Sequence, residues 1–88
     1  MKKKNVEIAD IMLAAFLLAK RHSLVSHKVD SDGFVTFIFF DRQGTIEEDI
    51  QQHVSGKAKV ISAEFVTAFR NLRSVIVRAK TENRKKER

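Results

Sequence analysis

The chain has 88 residues, 43% hydrophobic and 32% charged, with seven Phe, no Cys and no Pro. This is one domain with one core, of a size that buries only about 60–65% of its unfolded surface on folding. Lack of cysteine excludes disulfides, thiolate catalysis and cysteine-based zinc sites. The longest apolar run, Ile11 to Ala19, has nine residues, against the ~20 needed to cross a bilayer.

The net charge of +6 is unevenly placed: residues 1–4 carry +3, residues 78–88 carry +4, and the stretch between them carries −1. Basic character therefore belongs to the ends and not to the folded body. Lys2 to Lys4 ahead of an apolar stretch has the outline of a secretion signal. However, Glu7 and Asp10 interrupt the join, and Lys20-Arg21-His22 stands where a small-residue cleavage site belongs. The expectation is a cytoplasmic protein.

In chain order, Ile8 to Arg21 predicts a first helix, with Asp10 near its start and Lys20, Arg21 and His22 at its end, each complementing the helix dipole. Its middle is apolar all round, so it must be buried on every side. Leu24 to Val29 and Phe34 to Phe40 are β-rich runs joined by Asp30-Ser31-Asp32-Gly33, a hairpin in which Gly33 can take the positive φ of a tight turn. In the second run Val35, Phe37 and Phe39 point one way, and Phe34, Thr36, Ile38 and Phe40 point the other.

Thr45-Ile46-Glu47-Glu48 fits a capping box and Gly56 a helix stop, which predicts a short second helix over about Ile46 to Val54. Ser62 caps a third helix whose stripe of Phe65, Ala68, Phe69, Leu72, Val75, Ile76 and Ala79 runs to about Lys80, where the chain frays. The expected class is α+β, in α-β-β-α-α order with a two-stranded antiparallel hairpin packed on helices. The expected division is a basic arm over residues 1–7, a domain over 8–80 and a basic tail over 81–88.

Leu13-Ala14-Ala15-Phe16-Leu17-Leu18-Ala19-Lys20, the hairpin strand Gly33 to Phe39, then Gly56-Lys57-Ala58-Lys59-Val60 and Phe65 before a terminal helix are similar to a family of short uncharacterised proteins of bacteria, archaea and their phages. The resemblance spans residues 8–77 and implies a compact α+β domain. It brings no activity and no catalytic residues. His22 follows Arg21 where a helix-ending Gly is expected.

Chemistry-bearing patterns are sparse. His22, His27 and His53 lack metal-protease spacing. Asp30 and Asp32, with Asp41 beyond the second strand, lack the rest of a calcium loop and read as turn residues. Gly33 to Phe39 partly matches the aromatic strand of an RNA-recognition motif. Thr36 replaces a stacking ring and Asp32 a basic residue, so these Phe read as core. No catalytic residues, metal or cofactor are expected, and the chain is not read as an enzyme.

Arg70, Arg73, Lys80 and Arg84 recur at helical spacing beside Val66 and Val77 and continue into Lys85 and Lys86, a basic stripe able to follow a phosphate backbone. The surplus apolar surface of Leu13, Leu17, Phe34, Ile38 and Phe40 predicts an interface. The expected function is a non-catalytic, homodimeric binding module that contacts DNA, RNA or a nucleoprotein assembly through the stripe. The alternative is a protein-interaction module, such as a phage-type inhibitor or assembly subunit, that uses the apolar hairpin face. No membrane partner is expected.

Overall fold

The computed structural model describes residues 4–86, with side chains as far as Thr81. The protein is a small α+β domain with six elements: β1 (Asn5–Ile8), α1 (Ile11–Ala19), β2 (Ser23–Val29), β3 (Val35–Phe40), α2 (Ile46–Val54) and α3 (Ser62–Lys86). The sheet has three strands in the order β1-β3-β2, both pairs antiparallel. The expected two-stranded hairpin is thus a three-stranded sheet, and the order begins with a strand. Asn5-Val6-Glu7-Ile8 alternates polar and apolar, and pairs Asn5 with Phe40 and Ile8 with Phe37 along the free side of β3. Residues 5–7 therefore belong to the sheet and not to an arm.

With Ile8 in β1, α1 starts three residues later than its apolar content suggests. Asp10 is its N-cap, and its Oδ1 accepts from the Met12 N–H at 2.8 Å. The helix ends in a Schellman motif: the Arg21 N–H donates to the Leu18 carbonyl and the His22 N–H to the Leu17 carbonyl. Arg21 occupies the left-handed position that glycine favours, at φ 75°. Ala14, Ala15, Phe16, Leu17 and Ala19 are buried, but Met12 is 46% exposed, so the helix is not covered on every side as expected; α1 packs against α3, α2 and β1, which leave the Met12 side open.

Val35, Phe37 and Phe39 point into the core, with both Phe rings fully buried. They share that core with Ile8, Leu17, Ile46, Ala68 and Leu72, and the half-buried Phe65 and Phe69 pack at its margin. The Phe65 and Phe69 rings stack at 6.3 Å. At the hairpin turn Asp30 Oδ1 accepts from the N–H groups of Asp32 and Phe34, and Gly33 takes φ 86°. The Asp30 carboxylate thus serves the turn.

The expected capping box at Thr45 does not form. Thr45 makes no side-chain cap hydrogen bond. Its place is taken by Asp41, buried at the end of β3, whose Oδ1 accepts from the N–H groups of Thr45 at 3.0 Å and Ile46 at 3.3 Å. The carboxylate reaches the α2 N-terminus from four residues upstream because the loop from Asp41 to Gly44 folds back on itself, with Gly44 at φ 74°.

Helix α3 runs 25 residues, or about 37 Å, along a molecule whose longest extent is 44 Å. It continues to Lys86 where fraying is expected from Lys80. Among the described side chains the last buried one is Ala79, where the apolar stripe also ends. Among the described residues no helix is long and apolar enough to cross a membrane.

Candidate nucleic-acid interface

The basic stripe lies on α3. Arg70, Arg73 and Lys80 are exposed on the flank that also carries Val66 and Val77, which are 46% and 61% exposed. Among the described residues none of these three cations has a carboxylate within salt-bridge distance, whereas Arg21 is bonded to Glu64 and Lys28 to Glu7. From Arg70 to Lys80 the flank covers about 15 Å of helix axis. At its nearer end Arg70 and Arg73 border a groove floored by Met12, Phe65 and Phe69, so their stems lie on apolar surface while the charges face water. Arg84, Lys85 and Lys86 sit on the same helical backbone, and their side chains lie outside the described residues.

The outer sheet face is the second feature. Thr36, Ile38 and Phe40 point away from the core and are half-buried, and Phe34 at the turn is 70% exposed. Flanking positions are polar: Asn5 and Glu7 on β1, Ser23, Ser26 and Lys28 on β2. Glu7 and Lys28 reach over the central strand to each other at 2.9 Å, an exposed pair of small energetic weight. Of the expected interface set, Leu13 is half-buried and Leu17 has no accessible surface. Leu17 is therefore withdrawn from the interface, because the core of its own chain uses it completely. The edge of β2 is broken by a bulge at Val25, a device that discourages edge-to-edge pairing.

The histidines do not converge. His22 Nε2 lies 2.5 Å from Asp49 Oδ2 in a largely buried pair, His53 lies against Phe16 with ring centroids 5.3 Å apart, and His27 is exposed on β2. Among the described residues no group of three or more His, Cys, Asp or Glu is placed to share a metal ion.

A third feature escaped sequence reasoning. A polar recess of about 120 Å³ opens where the end of α1 meets the end of β3, lined by Lys20, Arg21, His22, Ser23, Phe40, Arg42 and Gln43. Its two walls are some twenty residues apart in sequence and are joined by the pairing of Ser23 with Phe40. Only the register of β2 on β3 would have revealed it. Comparison of the chain with protein-family models, with curated proteins and with solved structures gives no match in any of the three.

Proposed function

We propose that this protein is a non-catalytic binding module that lays α3 along the phosphate backbone of a nucleic acid. The observation carrying this reading is the exposed flank of Arg70, Arg73 and Lys80, three cations at helical spacing without a carboxylate partner among the described residues. Unpaired cations in a row suit a polyanion, since each phosphate they neutralise releases counterions. Nothing in the flank reads base edges, so binding is expected to be nearly independent of sequence.

The test is a titration of duplex and single-stranded oligonucleotides at several salt concentrations. Log affinity should fall linearly with log salt, by about 0.9 per neutralised phosphate on duplex DNA. Arg70→Ala with Arg73→Ala should weaken binding to both. Absence of binding at low salt would remove the reading.

A second reading rests on the outer sheet face, where, among the described residues, Phe34 is exposed and Ile38 and Phe40 are half-buried. In it the module associates with a second copy or another protein through that face, and its affinity is insensitive to salt. Light scattering at micromolar concentration, repeated on Phe34→Ser and Ile38→Ser, tests the self-association that either reading allows.

A further inference from the structure

The recess at the α1–β2 junction is lined by three residues that carry positive charge, Lys20, Arg21 and Arg42. Lys20 and Arg42 have no carboxylate within salt-bridge distance among the described residues, and Arg21 gives only one guanidinium nitrogen to Glu64. The Ser23 hydroxyl and the Gln43 amide add neutral donors. Lys59 extends the positive field over the adjoining surface, which it shares with Lys20, Arg21 and Glu64.

The carboxylates nearby are otherwise engaged. Glu64 is bonded to Arg21, Asp49 to His22, and Asp41 to the N–H groups that start α2. Asp49 thereby fixes the His22 ring that forms part of the wall. No buried side-chain nitrogen or oxygen lacks a partner among the described residues. The second ring nitrogen of His22, which has no protein partner among those residues, therefore meets solvent.

Two further observations point to a ligand. Arg21 stands in the left-handed position of the helix end, where glycine would relieve the backbone, and it lines the recess while its guanidinium bonds Glu64 on the adjoining surface. The volume is well below the ~300 Å³ at which pockets for drug-sized molecules begin. The occupant is therefore a single small group and not a base or a nucleoside.

We propose that Lys20, Arg21 and Arg42 hold one phosphate group in this recess, a site separate from the α3 flank. Glu64, beside Arg21, and Arg70, at the near end of the flank, are separated by roughly 9 Å along α3 and about 120° around it, so substitutions at Arg70 and Arg73 test the flank apart from the recess.

The experiment titrates the full chain with inorganic pyrophosphate, followed by amide chemical shifts, against sodium chloride at equal ionic strength. Saturable shifts at Lys20 to Ser23 and Arg42 to Gly44 are expected. Lys20→Gln and Arg42→Gln should each weaken them about tenfold, as expected for a charge-assisted hydrogen bond, while Arg70→Gln with Arg73→Gln leaves them unchanged. Arg21→Gly should lower pyrophosphate affinity while leaving the spectrum of a folded protein, which a merely structural Arg21 would not do.

A second arm compares an oligonucleotide carrying a 5′-phosphate with the same strand lacking it. Tighter binding of the phosphorylated strand, lost in Arg42→Gln, assigns the site to a nucleic-acid end. Equal binding of the two strands beside saturable pyrophosphate binding assigns it to a free phosphate compound. Shifts that grow linearly and match those in chloride overturn the proposal.

Discussion

His22 Nε2 and Asp49 Oδ2 lie 2.5 Å apart, and through them the end of α1 is fastened to the first turn of α2, 27 residues away. The side chains are only 8% and 14% exposed, so neither finds water easily if the other is removed. Asp49→Ala should cost about 1–3 kcal/mol, the penalty for a buried donor left unmade. Asp49→Asn keeps an acceptor and should lose less. Urea denaturation of both variants and of His22→Ala, combined in a double-mutant cycle, measures the coupling; a value near zero would mean that the pair adds no stability.

The start of α2 depends on a residue outside the helix. Asp41→Ala removes the acceptor shared by the Thr45 and Ile46 N–H groups and should destabilise by about 1–2 kcal/mol, as loss of a helix cap does. Thr45→Ala removes no cap bond and should change stability by less than about 0.5 kcal/mol. Denaturant midpoints in the opposite order would restore the capping box.

Arg21→Gly should stabilise the protein by about 1 kcal/mol, because a left-handed residue with a Cβ carries a cost that glycine avoids. The Arg21–Glu64 bond lost with it joins an 82% exposed side chain to a 37% exposed one, a pair whose contribution is small in water. Thermal melts of Arg21→Gly and Arg21→Ala separate the two effects, since the alanine variant loses the ion pair and keeps the strain. If both lower the melting temperature equally, the ion pair outweighs the backbone.

The two faces of β3 should respond differently to substitution. Phe37 is fully buried beside Leu17 and Leu72 in the common core, so Phe37→Ala should cost about 3–5 kcal/mol. Phe34, 70% exposed at the turn, can become Ser with a change within about 0.5 kcal/mol. Denaturant melts that rank the pair the other way would place the core on the wrong side of the sheet.

The alternation of Val35, Phe37 and Phe39 marks the inner face from sequence alone, because period two is imposed by the strand itself. The hairpin turn, α2 and the stripe of α3 are legible for similar local reasons. β1 is not. Its four residues abut the apolar run of α1, and Ile8 fits either period, so only pairing with β3 decides it. Asp10 is the available signal, a capping residue directly before the run. The end of α3 is placed too early by its pattern because the apolar stripe stops at Ala79 while Lys, Arg and Glu go on supporting helix. Likewise, the charges on α3 can be read from spacing, but the recess depends on Lys20 and Arg42 meeting across a sheet register.

Truncation after Ala79 separates fold from binding. Ala79 is the last buried side chain among the described residues, and the apolar stripe of α3 ends there, while the helical backbone continues through Lys86. Removing residues 80–88 should therefore shift the melting temperature little. The same cut removes Lys80 together with Arg84, Lys85 and Lys86. If these follow a phosphate backbone with Arg70 and Arg73, the truncated chain should bind duplex DNA more weakly. Its log–log salt slope should also be shallower, by about 0.9 for each phosphate that is no longer neutralised. Arg70→Ala and Arg73→Ala in the truncated chain should remove most of the remainder. A truncated chain that melts as the whole chain does and binds with the same affinity and slope would leave the end of α3 without a role in binding, and would give precedence to the outer sheet face of Phe34, Ile38 and Phe40.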